Sequence, residues 1–365
     1  MTVRVSKPEF NLREKISELD KPSGIKGSEL LQSNTIQEAR VNINADRKNL
    51  IINGNPIVYQ RAQSKTNAAP YAYHTADRWR TSANNSQTGR VTDMSVVTNV
   101  DIGGDFIGNY VRYDHTTAPS SPASNASYGY NYRVEKQDII PYLGKRMVLS
   151  FYARTNAGIA INSAFISGST SSTIYIADPD DFKTWVYLTP DWKRYEYTFT
   201  LGTTVPTTHL DIGLRHRVDK VGYIDMSGVQ LEEGGRATEF EHRSYAEELA
   251  LCQRYFQVMA RGYISPARGN SSTSYLWTYE TPVPFRALPT ATAVTWSGAS
   301  FSSRRYRDDT GVSDNTNTPS PQSAYFYPDS GTSYVHFAQN GYTGADDRSA
   351  VIMVQQGAVF LSAEL

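Results

Sequence analysis

Cysteine is almost absent. Cys252 stands alone among 365 residues, so no disulfide can close within the chain. No basic neighbour is evident to activate it, which predicts a small buried hydrophobe rather than a nucleophile. An excess of either charge is absent too, with 36 basic and 36 acidic residues. A nucleic-acid binder normally shows a basic excess or stripe. The longest basic cluster here, Arg304, Arg305 and Arg307, runs straight into Asp308 and Asp309. Nucleic acid and anionic membrane are therefore poor partners. No apolar run approaches a membrane span, and Met1-Thr2-Val3-Arg4 opens no signal core. The expectation is no membrane insertion, and a protein made and used without a secretion pathway.

The residues of catalysis are equally thin. The six histidines, at 74, 115, 209, 216, 242 and 336, form no metal-ligand spacing. There is no Gly-x-Ser-x-Gly elbow, Walker motif or Rossmann glycine cluster. His209 and Asp211 fall on one strand face, where a surface ion pair accounts for them. Carboxylate pairs occur at Asp180-Asp181, Asp308-Asp309 and Asp346-Asp347. A glycosidase pair or a Ca²⁺ site needs several converging carboxylates, but all three pairs sit in polar, turn-like stretches and read as solvated loop acids. The chain is expected to be no enzyme and to carry no cofactor, with Ca²⁺ at an acidic loop left open.

What is plentiful is tyrosine, 25 residues of it, beside many Asn, Ser, Thr and Gly. Tyr and Thr suit half-buried pleated surfaces, and Asn, Gly and Ser suit turns. The length suits two or three domains. Residues 1–48 read as helical. Ser6 and Glu9 form a capping box, Val5 can staple onto Phe10, and Leu12, Ile16 and Leu19 follow at i, i+4, i+7 until Pro22 and Gly24. A second short helix from Asn34 carries Ile36, Ala39 and Ile43 on one side. Such thin stripes dock on a partner rather than form a core.

From Asn49 the pattern is short strands. Tyr195, Tyr197 and Phe199 alternate with Arg194 and Glu196, and Leu210, Ile212 and Leu214 with His209, Asp211 and Arg215. Tyr223 to Leu231 reads as a strand broken by a bulge at Ser227-Gly228. Ser244 caps a helix with Tyr245, Leu249, Cys252 and Phe256 on one stripe. After Gly262 a second β region follows, with strands at 274–281, 291–296, 334–337, 350–355 and 358–365, and with 302–323 read as exposed loop. The expected fold is mainly β: a jelly-roll sandwich over 49–243, a linking helix over 244–260, and a smaller C-terminal β domain over 261–365, behind short N-terminal helices.

Several stretches resemble tail-fibre and tail-associated proteins of phages of marine bacteria, especially short-tailed cyanophages. They are Phe10-Asn11-Leu12-Arg13-Glu14-Lys15 and Asp20-Lys21-Pro22-Ser23-Gly24-Ile25-Lys26-Gly27, then Ser227-Gly228-Val229-Gln230-Leu231-Glu232 on to Glu248-Leu249-Ala250-Leu251-Cys252-Gln253-Arg254-Tyr255, and Pro284-Phe285-Arg286-Ala287-Leu288-Pro289-Thr290. The middle is similar to a carbohydrate-binding-module jelly roll at Lys48–Gly54, Asp77-Arg78-Trp79, Leu149–Arg154 and Trp192–Tyr195. Asn55-Pro56 departs from the pattern after Asn-Gly. The likeness covers most of 1–290 and fades beyond. It implies a virion protein assembled in the host cytoplasm, a homotrimer, held to other tail or adaptor proteins through residues 1–48, with Phe10, Leu12, Ile16 and Leu19 as anchor. It implies further a fibre or knob that binds host surface polysaccharide without cleaving it. The alternative is a purely structural adaptor, neck or head-decoration protein, and a glycan depolymerase stands third.

Sugar rings pack their C–H faces on Trp and Tyr. Tyr71, Tyr73, Trp185, Tyr187, Tyr325 and Tyr327 are the candidate glycan contacts, with packing or a subunit interface as the competing reading. Trp79 and Trp192 sit in strand-like patterns and are expected in the core.

Overall fold

A computed structural model describes residues 48–84, 89–103, 106–120, 127–157, 160–168, 173–175, 186–217, 220–259, 264–271, 274–287, 289, 294–307, 311–315, 325–326, 334–340 and 349–364. The chain divides into two compact units, 1–49 and 50–365. Phe10, Leu12, Ile16 and Leu19 and both expected N-terminal helices lie outside the described residues, as do the three carboxylate pairs.

The second unit is built of antiparallel sheets. The first is ordered β1 (Ser64–Lys65), β3 (Val91–Asp101), β4 (Ile107–Thr117), β12 (Gly222–Glu233), β6 (Arg146–Thr155), β10 (Lys193–Thr200). The second is ordered β2 (Trp79–Asn84), β5 (Ser127–Glu135), β11 (His209–Arg217), β7 (Ala160–Gly168), β8 (Thr173–Tyr175), with β9 (Val186–Tyr187) also on β7. A one-turn helix α1 (Lys136–Ile139) follows β5. The two sheets face each other across a shared core, which makes the expected jelly-roll sandwich. The third sheet is ordered β17 (Gly311–Asn315), β16 (Val294–Arg307), β20 (Ser349–Ser362), β14 (Ile264–Ser271), β15 (Ser274–Glu280), β19 (Tyr334–Asn340), β18 (Tyr325–Phe326), with β13 (Phe256–Met259) on β20. It forms the C-terminal β region.

Alternation explains which way each strand faces. In β5, Tyr128, Tyr130, Tyr132 and Val134 point inward while Arg133 stays half-exposed. In β10, Tyr195 is buried and Tyr197 and Phe199 pack on the core, as the sequence predicts. Much of the tyrosine surplus is core material rather than half-buried surface. Tyr113 meets the Tyr130 ring edge-on at 4.3 Å, and Trp79 sits 5.2 Å from both Tyr130 and Tyr132. Each such ring contributes about 1.5–3 kcal/mol of burial. The Ser227-Gly228 bulge is present, with a register shift between Ser227 and Gln230. Gly228 is required there. Its φ is +56°, and a Cβ would stand 2.9 Å from Tyr152.

Three expectations need correction. The helix after Ser244 is α2 (Tyr245–Gln253); its Ser244 cap is as expected, accepting from the Glu247 amide, but Phe256 opens β13 instead of extending it. Its buried residues are Glu248 and Cys252, while Tyr245 is exposed. Residues 302–307 and 311–315, read as loop, form the β16–β17 hairpin with Ser303 opposite Asn315. Their polar composition suits turns, yet β20 gives Ser302 to Arg305 of β16 a backbone partner, from Met353 back to Ala350. The expected pair of C-terminal strands is one strand, β20, which passes through Gly357 while the ladder shifts register near Gln356.

The sandwich and the third sheet meet at a buried, charged seam. Arg78, 1% exposed, pairs with Glu364, donates to the Arg133 carbonyl at 2.7 Å, and lies 3.4 Å above the Tyr255 ring. Arg61 bridges Asp77 and Glu364 at 3.4 and 3.3 Å and covers Phe256 at 3.6 Å. Gln60 donates to Asp77 at 2.6 Å and to the Phe256 carbonyl at 3.1 Å. Tyr255 donates to Glu135, and the Asn53 amide donates to Glu248 at 2.8 Å. Burial pushes the Asp77 carboxyl up to about 6 against the pull of Arg61.

Candidate functional site on the outer sheet face

The outward positions of β4, β12 and β6 carry the most distinctive polar group of the sandwich. Three segments share one pattern, an aromatic residue, an inward apolar residue, then an outward charge: Tyr110-Val111-Arg112, Tyr152-Ala153-Arg154 and Tyr223-Ile224-Asp225. Strand β12 lies between β4 and β6, and Asp225 stands opposite Arg112 on one side and Arg154 on the other. Register therefore brings both arginines onto one carboxylate.

Asp225 is fully buried. Arg112 donates to it through Nε at 2.8 Å and Nη2 at 2.9 Å, and Arg154 through Nε at 2.8 Å. Their side chains remain 29% and 25% exposed. The guanidinium of Arg112 lies 3.9 Å over the Tyr223 ring, and that of Arg154 lies 4.8 Å over Trp192. Tyr110 meets Trp192 edge-on at 5.3 Å. The bonds to Asp225 hold Arg112 more firmly in its charged form, and for Arg154 they outweigh the cost of burial.

The neighbouring part of the same face is closed by the chain itself. Glu232 and Gln230 are buried, and Glu232 accepts from the Thr238 amide at 2.8 Å and from its hydroxyl at 2.6 Å. Arg194 bonds Ser150 at 3.0 Å and the Thr238 carbonyl. Phe106 stacks on Tyr152 and packs on Phe240, each at 5.2 Å. A covered apolar end thus borders an open, cationic and aromatic one. Trp192 belongs to this outer cluster and not to the sandwich core, whereas Trp79 is in the core as expected.

Among the described residues chosen from sequence, Tyr71 and Tyr187 stand at opposite ends of the second sheet. Tyr71 is 54% exposed and its hydroxyl donates to the Ala83 carbonyl at 2.5 Å, at the β2 edge of the second sheet. Tyr187 is 69% exposed on β9, at that sheet's opposite end. Tyr73 is half-buried, its ring lies beside Arg61, and burial raises its hydroxyl pKa. Tyr325 opens β18; Trp185 and Tyr327 lie outside the described residues. Cys252 is buried in α2, and burial pushes its thiol well up. His209 Nε2 lies 3.4 Å from Asp211, whose carboxyl is raised by burial but lowered overall by His209 and Arg133.

A gap of about 10 Å³ inside the sandwich, lined by Gly54, Trp79, Tyr130 and Met226 among others, has room for one water at most. Among the described residues no three His, Cys, Asp or Glu side chains gather to hold a metal, and no helix is long and apolar enough to cross a membrane.

No family model matches the chain, and no curated protein does. Solved structures align with about half of the chain. The enzymatically active domain of bacteriophage CBA120 tailspike protein 4 is 12% identical over 51% of this chain and 21% of its own length, with a TM-score of 0.33. The carbohydrate-binding module TmCBM61 in complex with β-1,4-galactotriose is 13% identical over 52% of this chain and all of that one, TM-score 0.31. A cyclase from Fischerella sp. TAU is 12% identical over 53% and 99%, TM-score 0.34. This chain spans about a fifth of the tailspike domain it aligns with.

Proposed function

We propose that this chain is a glycan-binding attachment protein of a bacteriophage particle, a homotrimeric fibre or knob that holds its glycan without cleaving it. The sandwich binds through the outer face of β4, β12 and β6. One observation carries the reading: two half-exposed arginines, oriented by buried Asp225, stand beside the half-buried rings of Trp192 and Tyr223. Rings offer flat apolar faces to a sugar, and fixed N–H groups meet its oxygens. The virion assignment is supported by the resemblance of residues 10–27 and 227–255 to phage tail proteins, and attachment through residues 1–48 belongs with it.

Adsorption tests it. Full-length protein added to host cells lowers phage adsorption and releases no reducing ends, and a Trp192→Ala, Arg154→Gln double variant with an unchanged melting midpoint loses the effect. Equal competition by both proteins contradicts the site. No competition by either favours the alternative reading, a scaffold of the particle, which the stiff buried seam between sandwich and third sheet would also suit.

A further inference from the structure

The geometry points to an acidic sugar: the guanidinium pair of Arg112 and Arg154 receives one carboxylate or sulfate group of the glycan. This rests on the glycan-binding reading and adds the charge of the sugar. A buried aspartate needs one cation. Arg112 already meets both oxygens of Asp225, the bidentate pairing that neutralises a carboxylate. Arg154 adds a second full charge for one further bond. Two guanidiniums on one carboxylate leave a unit of positive charge at the surface. Among the described residues neither arginine pairs with a second acid, and Asp114, two residues along β4 on the same face, forms no ion pair with either.

The hydrogen-bond inventory agrees. A guanidinium has five N–H groups. Arg154 spends only its Nε–H, so both of its terminal nitrogens lack an acceptor among the described residues, as does Nη1 of Arg112. Trp192 and Tyr223 lie against the guanidinium faces, which leaves the N–H edges as the reactive side. A planar or tetrahedral oxyanion matches such edges, while a neutral hydroxyl leaves the extra charge unanswered.

Calorimetric titration of the full chain tests this with four probes: tetragalacturonate, its methyl ester, galactotetraose and a sulfated galactan tetrasaccharide. At least one acidic probe binds about tenfold more tightly than its neutral counterpart, the size of one charge-assisted contact, and the advantage shrinks at high salt. The ester separates carboxylate from sugar shape, and the sulfated probe separates sulfate from carboxylate. Arg154→Gln brings acidic and neutral probes together, and Arg154→Lys restores part of the difference. Neutral probes binding as tightly as acidic ones, or a preference that survives Arg154→Gln, overturns the inference while glycan binding stands. Binding of none of the four overturns both.

Discussion

Two places in this chain are made from the same parts, guanidinium, carboxylate and aromatic ring, and they differ in what closes over them. At the seam, Arg78 lies on Tyr255, pairs with Glu364, and is 1% exposed because the third sheet covers it. On the outer face, Arg112 and Arg154 lie on Tyr223 and Trp192, share Asp225, and keep a quarter or more of each side chain in solvent. The seam spends its bonds inward, since Arg78 also reaches the Arg133 carbonyl and Arg61 ties Asp77 to Glu364. The outer pair leaves donors unspent. Cover turns such a cluster into a latch, and its absence leaves N–H donors facing solvent.

The largest expected effect breaks the latch. Arg78→Ala removes the closest cation of Glu364 and leaves Arg61 shared between two buried carboxylates, and removing one partner of a buried pair costs about 3–5 kcal/mol. Denaturant unfolding reads this directly, and a loss below about 1 kcal/mol, the range of an exposed pair, would put the seam in the same class as the outer face.

The next effect is a pH slope. The folded pKa of Asp77 is about 6 against an ordinary 3.8, so the folded state holds that proton more tightly than the unfolded one. Its contribution is fully present below pH 3.8 and is lost as pH rises through about 6. The stability of the wild type relative to Asp77→Asn therefore grows as pH falls from neutrality, by up to about 3 kcal/mol. Unfolding curves of both proteins across that range check it; a flat difference means the carboxyl is not held in a dry seam.

Much of the sandwich was legible in the sequence. The alternations in β10 and β11, the bulge in β12 and the Ser244 cap are local patterns, and local patterns survive folding. The third sheet was harder, because Ser, Asn and Asp in 302–307 and 311–315 signal turns, yet β16 finds a backbone partner in β20 and β17 finds one in β16. The site was legible only in fragments. Its three aromatic-x-charge segments were in plain view, but Arg112, Arg154 and Asp225 lie 42 to 113 residues apart, and sheet order alone makes them neighbours. Exposed aromatics at loops drew the expectation to Tyr71 and Tyr187 instead, which the fold sets on opposite edges of the other sheet.

The claim that the outer cluster binds and the seam holds meets its most direct test in one thermal-shift measurement on Arg154→Gln, with and without saturating acidic tetrasaccharide. Removing a partly exposed arginine from a carboxylate that Arg112 still pairs costs less than about 1 kcal/mol, so the ligand-free midpoint stays close to that of the wild type. Ligand at a hundred times its dissociation constant stabilises the wild type by roughly 2.7 kcal/mol. The account predicts that this rise is lost or sharply reduced in the variant. A ligand-free midpoint that drops as far as that of Arg78→Ala, or a ligand-induced rise as large as in the wild type, would contradict it.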